Sequence, residues 1–348
     1  MDQRLTGHRR PRWRTELLDS EDRPKRDITP SAGRIELAAT TRLGASGSMS
    51  LVGSTADIDW MRDRVRFTYD PGILGVDPWP VATLLLSSPT EDRTDLRTAW
   101  EVELLSKLAV LDEDAIHETF SLAAGTPIVP AVVDLIRSAG ETRIAVTESD
   151  TTLANPQVWP ASTPKLTIIN DLLQAAGYWS LWADGAGLFR VEPYRAPGDR
   201  AVSWVFAAGE AAIHTPDWGR EQDLASVPNR YIVVGQGSDD TPPLVGVASN
   251  EDADSPFGYE ARGRWITRTE EGVEGSTQTV FDQLAQRRLA DAMSPVAKLD
   301  ATHAIIPLNP NDLVEFAPTT REPVRATVQR MAYTLGFDAQ CSAEWREA

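Results

Sequence analysis

Alternation of period two is the feature that most restricts what this chain can become. In Arg64-Val65-Arg66-Phe67-Thr68-Tyr69 every second residue is apolar. Trp100, Val102 and Leu104 alternate with Glu101 and Glu103. Near the end, Phe337, Ala339, Cys341, Ala343 and Trp345 alternate with Asp338, Gln340, Ser342, Glu344 and Arg346. Successive side chains leave a strand on opposite faces, so runs of this kind bury one face only as β-strands. From about Ile28 to Leu111 further strand-like runs are separated by turn residues such as Asp70-Pro71-Gly72, and Gly44 to Ser50 reads as a hairpin or loop between strands. Buried-strand candidates return at Trp204-Val205-Phe206 and Tyr231-Ile232-Val233-Val234.

Three helices break this pattern. Pro130 to Ala139 starts with a proline and stops at Gly140, with Val132, Val133, Leu135 and Ile136 available for a buried stripe. The second helix, 164–176, is predicted with Thr163 as cap and Pro164 at the first position. Leu166, Ile169, Leu172, Leu173 and Ala176 line one face, and Gly177 closes it. It feeds a hairpin over 178–193 with a tight Asp184-Gly185 turn. The third helix spans 277–293, with Val280, Phe281, Leu284, Ala285, Leu289 and Met293 at helical spacing. The fold class expected is therefore α+β and β-rich, and 348 residues suffice for two or three domains.

Charge and cysteine usage exclude several function classes. With 51 acidic residues against 34 basic ones, a formal net charge of -17, most of the surface should repel DNA. The exception is the start, where Arg4, Arg9, Arg10, Arg12 and Arg14 face only Asp2, and residues 1–25 read as a basic arm, either a frayed terminus or a grip on an acidic neighbour. One cysteine, Cys341, excludes an intrachain disulfide. Its place in the alternation makes it a small core thiol, and a reducing compartment is expected. The first residues lack the apolar core of a signal peptide, and no stretch is apolar enough to insert in a membrane, so a soluble, unprocessed chain is expected.

The sequence nominates no catalytic, cofactor-binding or metal-ligating residue. His8, His117, His214 and His303 are far apart, and His117-Glu118 stops short of a zinc motif. Gly235 and Gly237 lack the third glycine and the following helix of a dinucleotide site. Asn250-Glu251-Asp252-Ala253-Asp254 lacks the glycine and distal glutamate of a calcium loop and reads as a solvated acidic loop. Acidic pairs such as Glu113-Asp114 and Glu270-Glu271 are expected in so acidic a chain. The eleven tryptophans, scattered through strand and loop candidates, suit core and subunit contacts better than a sugar platform.

Pro228-Asn229-Arg230-Tyr231-Ile232-Val233-Val234-Gly235-Gln236-Gly237, then Gly246 to Pro256, then Arg262-Gly263-Arg264 and the helix from Thr277, together resemble the second half of phage tail hub (baseplate hub, minor tail) proteins. The helix and hairpin from Pro164 to Pro193 resemble the module preceding that strand in the family. The resemblance implies two small β-barrel-like domains, over 26–120 and 201–348, with an α/β insertion over 121–200. It also implies a homotrimeric ring that matches a sixfold tail tube to a threefold tip and lets DNA pass. Its expected partners are the distal tail or tube protein, the tape-measure terminus, and a spike or fibre component. No enzymatic role comes with it, no cofactor, no sequence-specific nucleic-acid binding and no membrane insertion. The expected place is the virion tail tip, after assembly in the host cytoplasm. Rival readings are a tail-associated cell-wall hydrolase, a receptor- or carbohydrate-binding tail protein, and an equivalent hub in an injection particle or gene-transfer agent.

Overall fold

The computed structural model describes the chain except for residues 1, 54, 94–97, 223, 236–241, 274–276, 294–296 and 337–339 and the side chain of residue 291. The chain falls into two compact units, one of residues 1–219 with 300–348, the other of residues 220–299.

The first unit opens with seven strands: β1 (Arg12–Leu18), β2 (Pro24–Ile28), β3 (Ala32–Ala38), β4 (Ala45–Val52), β5 (Arg64–Asp70), β6 (Trp79–Arg93) and β7 (Thr98–Ser106). The alternation in β5 does what the sequence implies, because Val65, Phe67 and Tyr69 are fully buried. Each such aromatic or branched side chain contributes roughly 2 kcal/mol when removed from water. Gly44 to Ser50 is mostly strand, since only Gly44 turns (φ +71°) and the residues after it pair along β3.

The basic arm is corrected. Arg12–Leu18 is a full strand pairing with both β5 and β2, and Leu17 and Leu18 are fully buried. Three of the five arginines are spent locally. Arg14 bridges Glu16 and Asp27, Arg4 pairs with Asp2, and Arg9 donates to the carbonyls of Leu5 and Ile305. Two buried leucines outweigh the mobility that five outward cations suggest.

The α/β insertion expected over 121–200 packs together with the segment before it, from α1 (Ala109–Glu113) and β8 (Phe120–Leu122) through α2 (Ile128–Ser138), β9 (Ile144–Val146), β10 (Gln157–Trp159), α3 (Lys165–Ala175), β11 (Trp182–Ala183) and β12 (Phe189–Val191). Helices α2 and α3 bury Val132, Ile136, Leu166, Ile169, Leu172 and Leu173 in one core, against the pairs β8–β10 and β11–β12–β9. Gly140 and Gly177 end the two helices with φ of +87° and +72°. The expected cap fails: the cap position of α3 is Pro164, and Thr163 donates instead to the Pro160 carbonyl at 2.7 Å. The 178–193 hairpin also turns differently. Asp184 Oδ1 accepts from the amides of Ala186 and Leu188, and Gly187, not Gly185, takes the positive φ.

After β13 (Val202–Ala207) and β14 (His214–Glu221) come β15 (Arg230–Gly235), β16 (Val245–Ser249), α4 (Tyr259–Arg262), β17 (Thr267–Val273) and α5 (Gln278–Ala292). The chain then returns through β18 (Lys298–Ala304), β19 (Leu313–Ala317), β20 (Val324–Thr334) and β21 (Gln340–Glu347). In β21 Cys341, Ala343 and Trp345 point inward; Phe337 and Ala339 lie outside the described residues.

The fold class is β-rich α+β with an α/β insertion, as expected, but the strands are not divided as the two-barrel scheme has them. Thirteen strands share one sheet in the order β14-β18-β21-β20-β3-β4-β7-β6-β5-β1-β2, with β13 and β19 branching from β20. Among the described residues the path ends at β14 and β2, and β3 pairs antiparallel with β20, uniting the early and late strands.

The 201–348 segment is corrected likewise. Residues 220–299 form their own unit, a three-stranded sheet β16-β15-β17 with α5 packed on β15 and β16. Its core joins Tyr231, Val233 and Ala248 to Phe281, Ala285 and Leu289. The helix expected at 277–293 thus covers this small sheet and does not interrupt the large one.

Candidate functional site

A buried charge cluster fixes the insertion to the large sheet. Arg64 opens β5, Lys107 follows the end of β7, Asp22 occupies the β1–β2 turn with φ +62°, and Glu141 follows the glycine that ends α2. Arg64 donates to Asp22 Oδ1 at 2.8 Å and to Glu141 Oε1 at 2.5 Å. Lys107 donates to Asp22 Oδ2 at 2.7 Å and to the Gly187 carbonyl at 2.9 Å, lies 3.1 Å from Glu141 Oε2, and stands over the Phe189 ring. The Lys107 and Asp22 side chains are fully buried. Burial alone would lower the Arg64 pKa, but the charges of Glu141 and Asp22 outweigh it, and the guanidinium is held above its ordinary value. Lys107 and Arg64 face the two carboxylates, with the half-exposed Arg143 3.4 Å from Asp22 as a third cation, an arrangement suited to holding parts in register.

The insertion hairpin is gripped at the same seam. Thr83 donates to the Gly185 carbonyl at 2.9 Å, and Arg66 and Arg143 both donate to the Ala186 carbonyl. A side chain at position 185 would put its Cβ 2.1 Å from the Pro80 carbonyl oxygen, so only glycine permits this approach. Beside the hairpin, a cleft of about 480 Å³ is lined by Trp179, Trp182, Arg190, Arg200 and Asp312 among others. The Arg200 guanidinium stacks on Trp179 and Tyr194, and Trp182 donates to Glu192 at 3.1 Å, so the rings are engaged by the protein itself.

The four histidines separate into one pair and two single residues. His214 and His303 meet across β14–β18, where the Ala304 amide donates to the Ile213 carbonyl at 2.7 Å. Each Nδ1 faces its own chain's next carbonyl, Thr215 at 2.7 Å and Ala304 at 2.8 Å, and neither Nε2 has a partner among the described residues. Burial among Phe206 and Trp345 pushes the His303 pKa down to about 4. No spacing signal in the sequence could have paired them. His8 and His117 lie apart, both exposed. Burial pushes the Cys341 thiol up to about 12. Among the described residues no group of three or more His, Cys, Asp or Glu side chains is placed to hold a metal ion, and no helix is long and apolar enough to cross a membrane.

The 220–299 unit explains the motif that carried the resemblance. Asn229 is fully buried, donating to the Arg264 carbonyl at 2.9 Å and accepting from the Ile266 amide at 2.7 Å, so it ties β15 to the start of β17. Arg230 stacks on Trp265 at 3.8 Å, and Trp265 packs on Tyr259. The acidic run is solvated as expected, with Glu251, Asp252 and Asp254 all exposed, and only its first residue turns inward. Asn250 is buried and donates to Ser255 Oγ at 2.8 Å, while its Oδ1 accepts from the Asp252 amide, shaping the turn before α4. Gly237 and the adjoining Gln236 lie outside the described residues.

No family model and no curated protein sequence matches the chain. Solved structures do. A tail protein from Neisseria meningitidis MC58 aligns over 97% of this chain and 97% of its own length with a TM-score of 0.67 at 11% identity. The 43 kDa tail protein of prophage MuSo2 from Shewanella oneidensis aligns over 96% and 98% with a TM-score of 0.63 at 10% identity. The fold is that of phage tail proteins. The tail-protein fold also extends to the E. coli c3393 protein, a type VI secretion component described as structurally similar to the T4 tail proteins gp27 and gp5. That protein aligns over 92% of this chain and 74% of its own, with a TM-score of 0.52 at 10% identity.

Proposed function

We propose that this chain is a structural hub subunit at the tip of a phage tail and that it works without catalysis. The observation that carries this reading is the end-to-end match to a tail protein, 97% of both chains. In this role three copies form a ring that adapts a sixfold tail tube to a threefold tip. The ring contacts the distal tail or tube protein and the tape-measure terminus on one side and a spike or fibre component on the other. It is assembled in the host cytoplasm and carried at the virion tail tip. A net charge of -17 suits a ring that DNA must cross, because like charge keeps phosphates from adhering.

Immunogold electron microscopy of purified particles, with antibody to this chain, tests the reading. Gold at the distal tail end is expected. Label on heads alone, or particles in which mass spectrometry finds no trace of the chain, would overturn it and return attention to a hydrolase or a receptor-binding protein.

A further inference from the structure

A groove of about 650 Å³ runs beside α2 in the insertion. One wall is a single stripe of the helix, since Pro127, Pro130, Ala131, Asp134, Leu135 and Ser138 recur at steps of three and four. The other wall is the segment from Asp114 through Leu122, which contributes Ile116, Phe120 and Leu122. These three side chains pack on the insertion core yet remain partly open, so an apolar occupant would complete their burial.

The rim has a definite sign. Asp114, Glu118 and Asp134 stand around the groove against one cation, Lys165, and Lys165 is committed to Asp114 at 2.6 Å. Glu118 and Asp134 have no ion-pair partner among the described residues. The helical wall is about 16 Å long at 1.5 Å per residue, room for three turns of a second helix. Apolar walls and two uncompensated carboxylates fit an occupant with an apolar stripe and Lys or Arg at its flanks.

We propose that this groove docks an amphipathic, Lys/Arg-flanked helical segment of another protein. The chemistry of the occupant follows from the groove; placing that protein in the tail rests on the function proposed above.

The test uses the full chain and two fluorescent synthetic peptides of three helical turns, one with a leucine face and terminal lysines, the other with every lysine replaced by glutamate. Anisotropy titrations should give saturable binding of the lysine peptide, with the glutamate peptide at least roughly tenfold weaker. Ala131→Arg, which carries a cation into the groove from a half-buried position on α2, should weaken the lysine peptide about tenfold while circular dichroism keeps the native spectrum. The double variant Glu118→Lys/Asp134→Lys should invert the preference between peptides. Absence of saturable binding by the lysine peptide, equal affinity for both peptides, or unaltered binding by folded Ala131→Arg each overturns the proposal. None of these outcomes bears on where gold label falls on the particle, so the two readings fail separately.

Discussion

Arg330 and Glu36 lie 294 residues apart in the chain and share two hydrogen bonds, Nε to Oε1 at 2.7 Å and Nη2 to Oε2 at 2.6 Å. The fork straddles β3 and β20, the one pairing through which the early strands meet the late ones in the described sheet path. The Arg330 hydrogen bond holds the Glu36 carboxyl below the usual carboxylate range.

Because both side chains remain about a third exposed, solvent screens the pair, and a double-mutant cycle of Glu36→Gln and Arg330→Met should give a coupling of about 0.5–1 kcal/mol. That contribution is present above the unfolded carboxyl pKa and disappears as pH falls through the lowered folded value. Urea unfolding of the four proteins at two pH values and two salt concentrations checks the size, the sign and the screening.

Lys107→Met should be far more damaging. It leaves Asp22 and Glu141 with Arg64 and, for Asp22, the partly exposed Arg143 at 3.4 Å, and breaking a buried pair from one side costs about 3–5 kcal/mol. Arg42→Met, which removes an exposed bridge to Asp112, should cost under about 1 kcal/mol. Urea midpoints of the two variants measure the contrast.

His303 should make the fold acid-sensitive. Its folded pKa lies near 4 against an ordinary 6.5, because burial, with Arg9 and His214 nearby, disfavours the imidazolium. The unfolded chain therefore binds the extra proton first. Stability is complete above about pH 6.5 and declines towards pH 4, by roughly 3 kcal/mol at 1.36 kcal/mol per unit. His303→Phe should show a shallower loss over that window than the parent, read as the difference in urea stability.

Cys341 should be silent in the native protein. It is fully buried, and its thiol is pushed up to about 12, so almost no thiolate exists at neutral pH. A thiol reagent should label the folded protein only at the rate of unfolding and should label it fully in denaturant.

Local patterns carried much of this architecture in the sequence. Period-two runs marked β5, β7 and β21, and the proline starts and glycine stops marked α2 and α3 within two residues, because those signals depend on neighbours in the chain. What pairs with what was not legible. Nothing near Glu36 announces Arg330, and nothing near His214 announces His303, since such contacts are set by sheet order. The charge cluster was hidden for another reason: Lys107, Asp22, Arg64 and Glu141 look like surface residues, and charges are buried only when partners from distant elements converge. In β1 the outward arginines disguised a strand whose inner end carries Leu17 and Leu18.

The partnership of β3 with β20 also imposes a schedule. At a synthesis rate of roughly 5–20 residues per second, the 294 residues between Glu36 and Arg330 take on the order of 15–60 s to emerge. Throughout that interval β1 to β7 can pair among themselves while one side of β3 waits with its amides and carbonyls unclaimed. Each nascent chain on a polysome then offers the same open strand to its neighbours until β20 emerges to claim it.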